Sequence, residues 1–240
     1  MEIIVTHLTR MKRGYICAAG LCPADGTHVR PVYERGNLGV NMLARNGGHF
    51  ALGRRLDLAR AHKAEAPPPH VEDWTIDGHS IRVLAKLPPQ QFWALLSARA
   101  VPTLQEAFGP ELRQRGERAF GTDPGQGAQS LAYVRLWSPP TLHLLEREGG
   151  KRQIRATLQA GVTADLGVTD KRLYVGHAHI PNEALVVRLQ EALNKSSETI
   201  VAVGLGRPYP PGEANAVNWL QLNNLFPREA PLWEKIADLV

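Results

Sequence analysis

Alternating hydrophobic and polar positions predict that most of this chain is β-structure. Side chains along a strand point alternately to opposite faces, so a period of two indicates a strand with one buried face. The clearest case is residues 199–226, TIVAVGLGRPYPPGEANAVNWLQLNNLF. Its first half places Val201, Val203 and Leu205 on one face, and the second half alternates in the same way. The proline- and glycine-rich stretch between them predicts a loop that joins two strands.

The opposite faces of these two strands suggest a binding surface. One face is almost free of side chains, and the other carries an indole ring and two amides. The positions are Ala202, Gly204 and Gly206 on the first strand and Trp219, Gln221 and Asn223 on the second, with Arg207 where the first strand ends. Such a surface suits a flat polar ligand such as a nucleobase. The same pattern also fits a packed tryptophan with solvated amides.

The periodicity changes twice along the chain. Residues 1–87 contain about five short strands, whereas residues 88–129 include apolar residues at helical spacing. Residues 130–240 again predict about five strands, with an amphipathic helix at 182–195 before the last two. We therefore expect a mainly β fold with α insertions (α+β), in which two OB-like small β-barrels, the first and third segments, are joined by a helical connector.

Turn residues predict two further hairpins. Gly149-Gly150 separates the alternating runs 141–146 and 153–159. Asp77-Gly78 lies within the run 75–87, and Asp-Gly is a strong signal for a tight hairpin turn.

Composition and charge favour an anionic partner. The chain has 240 residues, 43% of them hydrophobic, a formal net charge of +5 and a pI of about 9.4. The first sixty residues hold nine basic and four acidic residues, a surplus equal to that of the whole chain. Arginine dominates, which favours bidentate phosphate contacts and stacking on bases. The candidate phosphate ligands are Arg30, Arg35, Arg45, Arg54 and Arg207. A solvated arginine-rich surface is the alternative.

The two cysteines and the amino terminus suggest a cytoplasmic protein. Cys17 and Cys22 have no third cysteine nearby, so a cysteine-based zinc site is not expected. The start MEIIVTHLTRMKR reverses the charge order of a secretory signal. No apolar run approaches the ~18–20 residues that span a bilayer, so no membrane partner is expected.

One cluster could support catalysis. His70, Glu72 and Asp73 follow three prolines and could hold a divalent metal or perform acid/base chemistry. The sequence lacks HExxH, the deaminase motif pair, GxSxG, a P-loop and GxGxxG. A structural role, with a carboxylate capping a turn, is therefore favoured, and we expect no metal and no cofactor.

Several segments together resemble the dual OB-containing domain family. They are YICAAG and HVRPV of the early hairpin, PPHVEDW, and the terminal pair VGLGRPY and NWLQLNNLF. The resemblance implies two OB-like barrels and nucleic-acid binding, in a role associated with prokaryotic conflict and antiviral defence. It implies no catalytic residue, and it marks these candidate functional positions: Arg30, Pro31, His70, Glu72, Asp73, Arg207, Trp219, Gln221 and Asn223.

The resulting hypothesis is a nucleic-acid-binding protein that is not an enzyme. Arginines of the first segment would hold phosphates, Trp219 would stack on a base, and Gln221 and Asn223 would read its edge. Single-stranded DNA or RNA is the favoured partner, and the sequence does not distinguish the two or specify an oligomeric state. The alternatives are a metal-dependent nuclease or nucleotide-processing enzyme using His70, Glu72 and Asp73, and a module that senses a small nucleotide or a partner protein.

Overall fold

The first sheet occupies the first third of the chain. The computed structural model describes residues 1–239, with the side chains of all except residues 147 and 148. The strands of this sheet are β1 (Glu2–Arg10), β2 (Tyr15–Leu21), β3 (His28–Val32), β4 (Leu38–Gly39), β5 (Arg54–Leu58), β6 (His62–Lys63), β7 (Asp73–Thr75) and β8 (Ile81–Lys86). Their order is β6-β7-β3-β2-β1-β5-β8, and β4 pairs with β2.

The prediction of a hairpin at 75–87 is wrong. β7 ends at Thr75 and pairs in parallel with β3, whereas β8 pairs with β5. Asp77 still makes a turn: its carboxylate accepts a hydrogen bond from the His79 N–H at 3.0 Å and caps a short 3-10 helix, Gly78–Ser80. The turn forms, but the strand that follows it, β8, pairs with β5 and not with β7. Residues of both β5 and β8 pack into the first hydrophobic core.

Within residues 1–239, three α-helices lie between or beside the strands. They are α1 (Pro89–Ser97), α2 (Leu104–Phe108) and α3 (Glu183–Lys195). The helix expected at 182–195 is confirmed by α3. Asn182 caps this helix by accepting a hydrogen bond from the Leu185 N–H at 3.2 Å.

The second sheet also has eight strands. They are β9 (Arg113–Gln114), β10 (Phe120–Thr122), β11 (Leu131–Leu136), β12 (Thr141–Arg147), β13 (Lys151–Gln159), β14 (Thr163–Val168), β17 (Thr199–Leu205) and β18 (Asn218–Pro227). Their order is β11-β17-β18-β14-β13-β12, and β10 pairs with both β18 and β9. A separate two-stranded ladder joins β15 (Tyr174–Val175) and β16 (Ile180–Pro181). The predicted Gly149-Gly150 hairpin is confirmed, because β12 and β13 pair on either side of it.

Each sheet curls around its own hydrophobic core. The first core includes α1, and the second includes α2 and α3. Four residues of the second sheet nevertheless pack into the first core: Tyr133, Ile200, Ala202 and Phe226. The outward face of β11, β17 and β18 is therefore covered in part by the first sheet. The mainly β fold with two OB-like units and few helices is as predicted.

The boundaries predicted for the three segments stay a prediction. The segment 88–129 contains α1 and α2 but also β9 and β10, which pair into the second sheet. Residue 240, the last of the third segment, lies outside the described residues.

Candidate nucleic-acid interface

Trp219 and Gln221 lie on one face of β18 and are both half-buried. The opposite face, with Leu220 and Leu222, packs into the second core. The neighbouring positions on the adjacent strands are glycines: Gly121 pairs with Trp219, Gly167 and Gly204 pair with Gln221, and the Gly206 N–H donates to the Trp219 carbonyl at 2.9 Å. The indole and the amide are therefore flanked by strand positions that carry no side chains.

The surface beside these side chains is open at only one of the three expected positions. Ala202 packs into the first core. A methyl group on Gly204 would lie 2.5 Å from Nδ2 of Asn223, so that position is already filled. A methyl group on Gly206 would have Nε2 of Gln221 as its nearest neighbour, at 3.4 Å. The expectation of a bare strand face is thus wrong at Ala202 and Gly204, because the first sheet and Asn223 cover them, and right at Gly206.

Asn223 is directed into the protein. It is 7% exposed and sits at a bulge where the pairing between β17 and β18 shifts register. Its Oδ1 accepts a hydrogen bond from the Thr169 hydroxyl at 3.2 Å. The bulge also turns the adjacent Asn224 toward the first sheet, where its amide accepts from the Leu8 N–H at 2.9 Å and donates to the Leu8 carbonyl at 3.2 Å. Sequence alternation gave no signal for this bulge, and Asn224 was therefore missed.

Asp73 holds two arginines, one in the first sheet and one in the loop after β17 of the second sheet. Arg30 in β3 is buried and places its Nε 2.5 Å from Oδ1 of Asp73. Arg207, which follows β17, bonds the other carboxylate oxygen, and its side chain is 50% exposed. Arg30 is therefore a buried structural cation, whereas Arg207 is held at the surface near the end of β17.

Glu72 is also fully engaged. Its carboxylate accepts from the Ser130 N–H at 2.5 Å, the Ser130 hydroxyl at 2.7 Å and the Leu131 N–H at 3.2 Å. Within residues 1–239, no group of three His, Cys, Asp or Glu side chains is arranged to hold a metal ion. The two carboxylates thus bind arginines and backbone amides, and do not converge on a common centre.

His70 is buried and uncharged near neutral pH. Burial, followed by the positive charges of Arg207 and Arg30, lowers its pKa to about 3. Neither ring nitrogen has a hydrogen-bond partner among the described residues. A histidine with such a low pKa is a weak base, so the acid/base interpretation gains no support from it.

The remaining candidate arginines differ in their surroundings. Arg54 donates to the carbonyls of Gly48 and His49 at 3.4 and 3.2 Å and so holds its own loop. Arg35 and Arg45 are exposed, and across the described part of the chain neither forms an ion pair. These two side chains are therefore accessible to a ligand.

Two residues near Arg207 were missed by the sequence reasoning. Tyr209, in the loop between β17 and β18, is 54% exposed. The Lys12 ammonium lies 4.8 Å from the centre of its ring. An exposed aromatic residue in a proline-rich loop was the available signal. Together they add a second ring and a cation to the same strand pair.

No helix in the described part of the chain is long and apolar enough to cross a membrane.

Comparison with known proteins identifies the family. No curated protein matches the chain. A solved structure of a murine DNA-binding protein bound to double-stranded DNA matches at 10% identity over 94% of this chain and 92% of that chain, with a TM-score of 0.33, which is too low to indicate a shared fold. The model of the dual OB-containing domain matches residues 1–233. Because this match covers nearly the whole sequence, the chain belongs to the dual OB-containing domain family.

Proposed function

We propose that this protein binds nucleic acid on the β18 face that carries Trp219 and Gln221. The observation that supports this most strongly is that a half-buried indole and a half-buried amide lie on the same face of β18, with room for an added methyl group beside them at Gly206. OB folds commonly bind oligonucleotides on a strand face and its adjoining loops. The family assignment is consistent with this use of the surface.

The side chains divide the work by their chemistry. The Trp219 ring stacks on a base, and the Gln221 amide offers both a donor and an acceptor to the base edge. Arg207, held by Asp73, is positioned for a phosphate or a second stacking contact. Exposed Arg35 and Arg45 supply further phosphate contacts.

Arg30, Arg54 and Asn223 are not direct ligands in this proposal. Each already bonds groups of the protein: Asp73, two loop carbonyls and Thr169, respectively. We therefore assign them a structural role in place of the predicted role as direct ligands.

A single strand is the favoured ligand. Stacking on Trp219 requires an accessible base face, and in a duplex the base faces are covered by neighbouring bases. The distinction between DNA and RNA stays open, and the predicted cytoplasmic location and role in defence stay predictions.

The metal-dependent nuclease remains an alternative with less support. His70, Glu72 and Asp73 are adjacent in sequence, but the carboxylates are occupied by Ser130, Leu131 and two arginines. A metal ion would have to displace these partners.

Binding is tested by titrating the purified protein against four fluorescently labelled ligands: single-stranded and duplex DNA and RNA of one sequence. Each titration is performed at two salt concentrations. We expect the single strands to bind most tightly and affinity to fall with salt, because phosphate contacts release counterions. No binding of any ligand at low salt would refute the proposal.

A further inference from the structure

A group of positively charged side chains gathers where β1 ends against the turn that follows β14. The Arg10 N–H donates to the Thr169 carbonyl at 2.8 Å, and the backbones of Thr9 and Asp170 form an isolated antiparallel β-bridge. These backbone contacts bring β1 next to the 3-10 helix Lys171–Leu173. The cations of the group are Arg10, Arg45 and Lys171, and His179, whose pKa is lowered by burial, lies beside them.

Lys171 is buried, and no side chain of the described residues forms an ion pair with it. It is 2% exposed, and its ammonium donates to the Tyr174 carbonyl at 3.0 Å. Burial, followed by the positive charges of Arg45 and Arg10, lowers its pKa to about 8, so it is still mostly protonated at neutral pH. The neighbouring Asp170 forms no ion pair with Lys171, because its carboxylate is bound by the Arg172 guanidinium and by the backbone N–H groups of Arg172 and Leu225.

The surrounding groups have unused hydrogen-bonding capacity. The Arg10 guanidinium lies 4.3 Å from the centre of the Tyr174 ring, and its Nε has no partner among the described residues. His179 is 6% exposed; its Nε2 lies 3.2 Å from the Tyr15 carbonyl, and its Nδ1 is buried without a partner in the same part of the chain. Exposed Arg45 forms no ion pair within residues 1–239.

We propose that Arg10, Arg45 and Lys171, with His179, form a binding site for a phosphate group. Three cations beside each other repel, and a buried ammonium without a counterion is costly, so an anion between them would relieve both penalties. Phosphate has the charge and the acceptor oxygens to satisfy several such donors at once.

The position of the site connects it to the β18 face. Thr169, which accepts from Arg10, also donates its hydroxyl to Asn223 in β18. From Asn223 to Trp219 the strand advances roughly 14 Å at about 3.4 Å per residue. A bound strand of a few nucleotides spans that distance. In this form the inference rests on the proposed function, with the phosphate belonging to the strand whose base lies on Trp219; free inorganic phosphate has the same chemistry.

Two variants and two matched controls test the site. Lys171→Met removes the buried ammonium and keeps its apolar stem, and Arg45→Gln removes an exposed charge without a structural partner. Lys195→Met and Arg113→Gln remove the same charges at exposed positions elsewhere. Thermal unfolding is compared in sodium phosphate and in sodium chloride at equal ionic strength, and oligonucleotide affinity is measured over a salt series.

Phosphate should raise the unfolding temperature of the wild type and both controls, and should raise it less in Lys171→Met and Arg45→Gln. In chloride, Lys171→Met should unfold at a temperature at least equal to that of the wild type, since it removes a buried charge. Oligonucleotide affinity should fall about tenfold in each site variant, and the slope of log K against log salt should become shallower by about 1.

The two proposals fail in different ways. If phosphate stabilises only proteins with an intact cluster and no oligonucleotide binds, the site accepts free phosphate and the nucleic-acid proposal fails. If an oligonucleotide binds with an unchanged salt slope in both site variants, and phosphate stabilises none of the proteins, the phosphate site is refuted while nucleic-acid binding stands. Equal stabilisation of all five proteins would indicate a nonspecific ion effect and would also refute the site.

Discussion

Glu72 and Ser130 connect the two sheets across 58 positions of sequence. The Glu72 carboxylate accepts from both the backbone N–H and the hydroxyl of Ser130, at 2.5 and 2.7 Å. Glu72 immediately precedes β7 of the first sheet, and Ser130 immediately precedes β11 of the second. A carboxylate in this position acts as a structural link between the OB-like units.

Glu72→Ala should destabilise the fold by about 3 kcal/mol, because it leaves buried amide and hydroxyl donors without an acceptor. Urea denaturation measures the change, and Glu65→Ala, in the exposed segment just upstream, is the control. Unchanged stability, combined with the loss of a metal-dependent phosphodiesterase activity, would instead assign Glu72 to catalysis.

Asp73→Asn should cost about 3–5 kcal/mol, because it leaves the buried Arg30 guanidinium without its counter-charge. Arg207→Gln should cost less than about 1 kcal/mol, because that side chain is half exposed, yet it should weaken oligonucleotide binding. Denaturation and titration of both variants check this. Equal destabilisation by the two would show that Arg207 is as much a structural residue as Arg30.

The sequence predicted the strands well where one face is buried and pairing is local. The β12–β13 hairpin and the β17–β18 pair were both visible as alternation around turn residues. The Asp77-Gly78 turn was found, but its strands pair elsewhere, with β3 and β5. Pairing between distant strands leaves no local signal.

The candidate site was predicted less completely, because its surroundings come from the other sheet. A glycine-rich strand face indicates close contact without saying whether a ligand or the protein fills the space. At Gly204 it is Asn223, and at Ala202 it is the first core. Arg30 was expected to hold a phosphate, but it is buried and bonds Asp73 and Ser130. Trp219 and Gln221 are both half-buried, and their role in binding stays a prediction.

Stability should fall as the pH drops from about 6.5 toward 4. Burial lowers the pKa of His28 to about 4 and that of His70 to about 3, and burial also holds the pKa of His7 well below its usual value. In this range the unfolded chain binds protons that the folded chain does not, so each histidine contributes up to about 1.4 kcal/mol per pH unit.

Urea denaturation between pH 7.5 and 4.5 measures this dependence. His70→Gln should make the profile shallower, whereas His62→Gln, at an exposed position, should leave it unchanged. A flat profile between pH 7 and 5 would show that these histidines are not buried in the neutral form.

Gly206→Val should weaken oligonucleotide binding about tenfold while the protein stays folded, because the new side chain would occupy the one open position beside Gln221. Gly116→Val, where the nearest neighbour of an added methyl group is Ala119 at 3.6 Å, is the matched control. Titration and thermal unfolding of both variants separate loss of binding from loss of fold. Equal affinities in the two variants would argue against a ligand on this surface.

Trp219→Ala, compared with Trp137→Ala in an anisotropy titration against single-stranded DNA and RNA, tests the central claim most directly. Trp137 is 72% exposed and lies at the end of β11, away from the proposed surface, so its loss controls for general effects of removing an indole. Trp219→Ala should weaken binding by about 1–3 kcal/mol, the usual value for one stacked base, and Trp137→Ala should leave the affinity unchanged. Wild-type affinity in a folded Trp219→Ala protein would contradict the account.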